Sequence, residues 1–196
     1  MWKVEQVKMP NAVFSDDRML AWGAAVLRVG DELYVYGTDE QRRTERSNRQ
    51  MVVAKVPIKS IDAFSDWRYF SDGVWGTDFQ KASPLADEIA SEYSVTPFGT
   101  GYIAVYTERG LSPRIMGRMA DCPWGPWSAP AVLYECPEMN RDKNLFCYAA
   151  KAHPSLSSGQ ELVVSYVVNS FDFWQVARQA ELYWPRFVRV TLDSSK

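Results

Sequence analysis

The sequence has only three cysteines, one histidine and no long apolar run. No stretch approaches the ~20 apolar residues of a membrane-spanning helix, so we expect no membrane partner. The first residues, MWKVEQVKMP, lack the apolar core of a signal peptide. An odd number of cysteines gives no disulfide framework. Cys136 and Cys147 flank one loop and would pair in a secreted protein, or these two and Cys122 would all stay reduced.

An excess of charge of one sign is also missing. The 22 basic and 24 acidic residues give a net charge of −2. A nucleic-acid-binding protein needs a basic face to neutralise phosphates, so we expect no nucleic-acid partner. The arginine-rich segment 42–46 is interrupted by Glu45 and is typical of a solvated hairpin loop.

Several catalytic signatures are absent as well. The sequence has no GxSxG elbow, no P-loop and no GxGxxG motif. The single histidine has no partner at the spacing typical of a zinc site. We therefore expect no metal and no cofactor, although a calcium ion held by carbonyl groups and water stays open.

Aromatic residues are abundant, and they mark a repeated unit. Two β-rich runs joined by a turn occur three times, and a tyrosine lies near the end of each second run: Tyr36, Tyr106 and Tyr166. A third β-rich run with a basic residue follows each pair. Four-stranded units of ~40–50 residues are typical of β-propellers. The alternative is a β-sandwich with three chance hairpins.

We therefore predict an all-β fold, a β-propeller in a single domain spanning 1–196. About three four-stranded blades are expected, at residues 21–70, 91–134 and 147–192, and a short helical stretch near residues 84–89. Residues 1–8 would form an orphan outer strand, and the third unit lacks its fourth strand. Three blades are below the usual minimum of about four. The chain is then part of a larger propeller, or an open wedge whose exposed apolar faces favour self-association.

The first strand of each blade lines the channel of a propeller. Counting back from the three tyrosines gives Trp22, Glu92 and His153, so we expect these side chains to meet around one axis. An indole, a carboxylate and an imidazole together suit a sugar site. We predict that Glu92 is a catalytic general acid, its pKa raised by a partly apolar pocket. Alternatively, Glu92 is an ion-pair partner of Lys151 or Arg186.

Glycoside hydrolysis needs a second carboxylate, ~5–5.5 Å away for retention or ~6.5–9.5 Å for inversion of configuration. Asp39, Asp78 and Asp87 are the weaker candidates for that role. The residues predicted to bind substrate are Trp22, Trp75, Lys151, His153, Asn169 and Arg186. Two of them have structural alternatives, since His153 would also fit a buried site against a backbone carbonyl and Arg186 would also tie blades together through backbone carbonyls.

Four segments carry a family resemblance. They are WGAAV at Trp22–Val26, GPWSAPAVLYECPE at Gly125–Glu138, YAAKAHPSLSSGQELVVSYVVNS at Tyr148–Ser170 and LYWPRFVRVTL at Leu182–Leu192. With them the chain resembles the C-terminal part of a secreted bacterial five-bladed propeller family, domain of unknown function 4185. That family includes endo-D-arabinanases, and glycoside hydrolase family 43 enzymes share its general fold.

The resemblance implies a five-bladed propeller, a polysaccharide or oligosaccharide ligand such as an arabinan, and an extracellular or periplasmic setting. It also implies glycoside hydrolase activity. On this resemblance we expect the given sequence to lack the signal peptide and the first two blades of the pattern, and in the wider class those blades supply catalytic carboxylates. The alternatives are a non-catalytic carbohydrate-binding propeller and an inactive truncated fragment.

Overall fold

The computed structural model describes residues 4–41 and 48–192, and these fold almost entirely as antiparallel β-structure. Sheet I contains β1 (Val13–Phe14), β2 (Arg18–Val29), β3 (Glu32–Gln41), β4 (Asn48–Pro57), β5 (Arg68–Ser71) and β6 (Val74–Gly76). Sheet II contains β7 (Tyr93–Phe98), β8 (Gly101–Thr107), β9 (Arg114–Ala120) and β10 (Ala131–Glu135). Sheet III contains β11 (Leu145–Ala152), β12 (Glu161–Ser170) and β13 (Arg186–Thr191), and helix α1 (Phe173–Arg178) lies between its last two strands.

The three sheets are arranged as blades. Within each sheet every strand pairs with its neighbour along the chain. The first long strands of the sheets are neighbours in space, since β2 contacts β7 and β7 contacts β11. Successive meander sheets joined through their first strands are the arrangement of a propeller. The prediction of an all-β, partial propeller is therefore confirmed.

Apolar side chains fill the spaces between the sheets. One buried layer joins sheets I and II and includes Leu27, Met51 and Ile89. A second joins sheets II and III and includes Ile103 and Val164. Alternation of side chains along each strand places every second residue in one of these layers. A third cluster lies on the outer face of sheet I, beneath the N-terminal segment.

The repeat tyrosines lie in these layers rather than in a channel. Tyr36, Tyr106 and Tyr166 are each at most 2% exposed. Their hydroxyls are bonded inside the protein: Tyr36 donates to the Pro123 carbonyl at 2.8 Å, and Arg118 donates to the Tyr106 hydroxyl at 3.0 Å. Burial of a tyrosine hydroxyl is costly unless the hydroxyl has a hydrogen-bond partner of this kind. The repeat that revealed the blades is therefore a repeat of the core.

The structure differs from the predicted elements in three places. Residues 84–89 are not helical, because Leu85 and Ala86 exchange backbone hydrogen bonds of 2.8 Å with Met51 of β4. Residues 4–8 of the expected orphan strand form no strand, and residues 1–3 lie outside the described residues, as does the 42–46 segment. Strands β1 and β6 and helix α1 are additions to the predicted pattern.

Burial of tyrosine makes stability sensitive to alkaline pH. Burial raises the pKa of Tyr34 and Tyr69 to about 12, and it also raises the pKa of Tyr36 and Tyr93. An unfolded tyrosine has a pKa of about 10. The protonated form is favoured by the folded state, so this stabilisation is complete below about pH 10 and is lost as the pH rises further. Urea unfolding at pH 8, 10 and 11 should give a falling free energy of unfolding, and equal values at pH 8 and 11 would contradict this.

Candidate functional site

A cavity of about 310 Å³ lies at the end of the blades where β7 begins. The turn between β8 and β9 and the bulged middle of β11 complete its wall. Its size is near the lower limit of small-ligand sites. The residues that line it are Arg49, Ala90, Ser91, Glu92, Arg109, Gly110, Leu111, Tyr148 and Ala149.

Glu92 is the carboxylate of this cavity. It lies between buried residues, since Ile89 is 1% exposed and Tyr93 donates its hydroxyl to the Gly37 carbonyl at 2.8 Å. These neighbours fix the start of β7 and leave the Glu92 side chain at the surface. Glu92 makes no hydrogen bond or ion pair with any residue that the structure describes. The alternative of a pair with Lys151 or Arg186 is therefore not what the structure shows, and the carboxylate is available to a ligand.

Tyr148 borders the same cavity from the third blade. Its hydroxyl donates to the Tyr183 hydroxyl at 3.2 Å. Burial first, then the hydrogen bond to Tyr183 and the nearby charge of Glu92, raise the pKa of Tyr148 to about 12. The phenol therefore stays protonated at neutral pH. Tyr148, which was not predicted, therefore lines the cavity together with the predicted residue Glu92. Asn169 of β12 faces Phe146 in the β11–β12 ladder, and its side-chain oxygen accepts from the Ser170 amide at 2.7 Å.

Two arginines contribute to the cavity wall, and each is bound to a carboxylate. Arg109 bonds to Glu88, and Arg49 pairs with Glu40 at 3.0 Å. The Nε atom of Arg49 is buried and has no hydrogen-bond partner among residues 4–41 and 48–192. Because both guanidinium charges are matched, the cavity is not a strongly basic anion site. Neutral hydroxyl groups suit it better than phosphate.

The backbone around the cavity is strained. Glu88, Arg109 and Ala149 have φ values of 57°, 52° and 56°. This left-handed region is unfavourable for side chains other than glycine and asparagine, and each such residue costs on the order of 1–3 kcal/mol. Asp72 is the one further non-glycine residue with positive φ in the described part of the chain. Strain of this kind concentrates at functional sites, which supports the assignment of this cavity as the site.

An exposed group of aromatic side chains adjoins the cavity. Phe146 lies 5.6 Å from the Tyr148 ring and 4.5 Å from the Phe171 ring, measured between centroids. Four further rings occupy α1 and the segment that follows it. We call the group Phe146, Phe171, Phe173, Trp174, Tyr183 and Trp184 the aromatic surface. Its members from residue 171 onward are between 50% and 71% exposed, and exposed apolar groups of this kind usually mark a binding surface.

Arg186 holds part of the aromatic surface in position. Its Nη1 atom donates to the carbonyls of Leu182 and Trp184 at 2.9 and 3.0 Å, and its Nε atom lies 2.8 Å from the buried carboxylate of Glu138. Glu138 also accepts from the Tyr166 hydroxyl. Arg186 was predicted to bind substrate, and in the structure its Nη1 and Nε atoms are bonded within the protein. The carbonyls that it contacts belong to the β12–β13 connection of its own sheet and not to a neighbouring blade.

Trp22 and His153 lie away from the Glu92 cavity. Trp22 packs on Tyr69 at the outer face of sheet I, and its Nε1 atom donates to the Asn11 carbonyl at 2.6 Å. His153 lies directly after β11, and its Nε2 atom contacts the Ser165 hydroxyl at 2.7 Å. Neither lines the Glu92 cavity. The structure therefore does not bring Trp22, Glu92 and His153 together.

Strand register explains this difference. A β-bulge lies between Trp22 and Ala25, so Tyr36 faces Ala25 rather than Trp22. In sheet II, Tyr106 faces Tyr93 rather than Glu92. One residue of shift moves a side chain to the opposite face of a sheet. Counting back from the tyrosines therefore identified the correct strands but not the residues that share a face.

Trp75 and Lys151, which were predicted to bind substrate, also lie outside the lining of the Glu92 cavity. Trp75 packs against Phe70 and Trp124, and the Lys55 ammonium lies 5.0 Å from its ring centre. Lys151 is exposed and faces Ser165 in the β11–β12 ladder.

The candidates for a second carboxylate are occupied elsewhere. Asp39 pairs with Arg18 at 2.7 Å, Asp87 accepts from the Gln50 amide at 2.7 Å, and Asp78 accepts from the Gln80 backbone. None of the three lines the cavity.

The described residues give two further findings. No group of three or more His, Cys, Asp or Glu side chains among them is placed to hold a metal ion. No helix in the same residues has the length and hydropathy needed to cross a membrane.

Fold and site together define a partial β-propeller with an aromatic-rimmed cavity at the end where β7 begins. A family model described as "Domain of unknown function (DUF5005)" matches residues 2–192, and the chain belongs to this family. The resemblance to domain of unknown function 4185 is not confirmed. Among curated proteins, none matches the sequence.

Solved structures give a more distant likeness. A protein of Bacteroides ovatus ATCC 8483 named "putative hydrolase" is 17% identical, with a TM-score of 0.60. The match covers 94% of this chain and 66% of that protein's chain. At this identity the likeness shows the fold. This chain spans about two thirds of the length of that protein's chain.

Proposed function

We propose that this protein binds a polysaccharide across the aromatic surface and the Glu92 cavity. The observation that carries the proposal is the continuity of the two, since Tyr148 lines the cavity while it contacts Phe146 and Tyr183 of the aromatic surface. A sugar ring has an apolar C–H face and a polar edge. Aromatic rings offer a flat apolar partner for the face, and hydroxyl groups on the edge suit Glu92 and Tyr148.

Two further considerations favour a sugar over other ligands. The cavity arginines are matched by carboxylates, which suits a neutral ligand better than a phosphate-rich one. Adjacent exposed rings also fit a polymer with repeated apolar faces. The candidate ligand is an arabinan in an extracellular or periplasmic setting, which the sequence resemblance to domain of unknown function 4185 suggests.

Removal of the two exposed indoles tests the binding proposal. Truncation of an aromatic anchor at a binding site commonly costs more than 1 kcal/mol, so Trp174→Ala with Trp184→Ala should weaken polysaccharide binding by about 30-fold. Affinity electrophoresis over arabinans, xylans and other plant polymers gives the comparison. Phe14→Ala is the matched control, because Phe14 is 73% exposed on strand β1 and outside the aromatic surface. Equal losses in both variants would contradict the proposal, as would the absence of binding to any polymer.

Hydrolysis of the bound polymer is the second candidate function. Glu92 favours it, because this carboxylate borders the cavity without a bonded partner in the described part of the chain. Glu92 would act as general acid and protonate the leaving oxygen of a glycosidic bond. The neighbour named "putative hydrolase" agrees with this class of reaction. A second carboxylate is still required, and Glu92 is the one carboxylate among the cavity-lining residues given above.

A further inference from the structure

Two buried cysteines meet between the second and third blades. Cys136, just after β10, and Cys147, in β11, are both 0% exposed and belong to the apolar layer between sheets II and III. The neighbouring Cys147 thiol and burial raise the pKa of the Cys136 thiol. Both are free thiols in the structure.

The backbone brings these cysteines together independently of their side chains. The Cys136 amide donates to the Pro113 carbonyl at 2.7 Å, and the Cys147 carbonyl accepts from the Ser112 amide at 3.3 Å. Adjacent residues of one segment therefore hold both cysteines. Both cysteines also belong to one buried layer, so a disulfide, which needs Cα atoms within about 7 Å, would join side chains that already share these surroundings.

We propose that Cys136 and Cys147 form a disulfide that links the second blade to the third when the chain folds under oxidising conditions. Each thiol loses a proton, and together they give two electrons to a small disulfide oxidant, which is reduced to two thiols. The new bond joins the two sulfur atoms. Cys122 is then the one cysteine of the three that stays unpaired.

The timing of the reaction follows from the surroundings of the pair. The raised pKa of the Cys136 thiol disfavours its thiolate form. A thiolate is the reacting species in disulfide exchange, so the folded, reduced protein should oxidise slowly. Oxidation is fast only while the layer between the sheets is open, during folding.

The link would also affect the candidate site. Residues 137–146 lie between the two cysteines and carry Glu138, which holds Arg186, and Phe146 of the aromatic surface. The disulfide would close this segment into a loop. We therefore expect the oxidised protein to hold the aromatic surface more firmly than the reduced protein does.

Refolding of the full chain in a mixture of reduced and oxidised glutathione tests the proposal. Alkylation followed by peptide mapping should show one link, Cys136 to Cys147, with Cys122 alkylated. The melting temperature of the oxidised protein should be about 5–10 °C above that of the reduced protein. The Cys136→Ser, Cys147→Ser double variant should lose this difference, and Cys122→Ser should keep it.

Other products would overturn the proposal. Three alkylated cysteines, a link that includes Cys122, or glutathione adducts on Cys136 and Cys147 would each do so. If the chain refolds poorly, the same alkylation and peptide mapping can be applied to protein that was exported to a bacterial periplasm and purified without denaturation.

Discussion

Glu92→Gln should lower the turnover of a polysaccharide substrate by about 10²–10⁴-fold while binding changes little. Glutamine keeps the shape and most hydrogen bonds of the side chain but has no proton to give to a leaving oxygen. Glu92 is already exposed and without a bonded partner among the described residues, so its substitution removes no structural contact. Protein stability should therefore be unchanged, which separates a catalytic effect from a folding effect.

The measurement is release of reducing ends from a panel of arabinans and xylans, with wild type and variant at equal concentration. Glu135→Gln is the matched control, because Glu135 is an exposed carboxylate at the end of β10. Equal turnover in wild type and Glu92→Gln would remove Glu92 from the mechanism. Binding of a polymer by the wild type without any turnover would leave the protein as a carbohydrate-binding propeller.

Glu138→Ala should lower the free energy of unfolding by about 2–4 kcal/mol, because it leaves the guanidinium of Arg186 without its charged partner; this value lies between those of surface and fully buried pairs. The Glu138 side chain is 10% exposed, whereas that of Arg186 is 26% exposed and retains some contact with water. The Tyr166 hydroxyl loses its acceptor at the same time. The aromatic surface should also loosen, since Arg186 holds the carbonyls of Leu182 and Trp184.

Urea unfolding measures this effect, and two variants control it. Glu138→Gln keeps the shape and an acceptor, so it should cost less than Glu138→Ala. Glu138→Leu combined with Arg186→Met removes both charges and should cost less than the sum of the two single changes. A loss below about 1 kcal/mol for Glu138→Ala, the value of a surface pair, would contradict the account.

Much of the fold could be predicted from the sequence. The repeated pair of β-rich runs predicted three blades, and the long strands of the three sheets overlap the predicted ranges 21–70, 91–134 and 147–192. The helix predicted near residues 84–89 is not formed. The segment pairs with Met51 of β4, and the local sequence gives no sign of such a distant contact. Helix α1 was not predicted since six residues give too short a pattern.

The candidate site was predicted less well, and the reasons are specific. Glu92 lines the cavity, but the bulges in β2 and β11 placed Trp22 and His153 elsewhere. A bulge has no reliable signature in a single sequence. The pairing of Arg186 with Glu138 could not be predicted, because the two residues are distant along the chain. The aromatic surface had a visible signal, the closely spaced rings of FDFW and LYW.

A crystal structure of the protein with a bound oligosaccharide tests the central claim most directly. The account predicts a sugar ring stacked on the aromatic surface near Trp174 or Trp184, and a hydroxyl group within hydrogen-bonding distance of Glu92 or Tyr148. A sugar bound instead beside Trp22, in the separate cavity that the N-terminal segment borders, would contradict it.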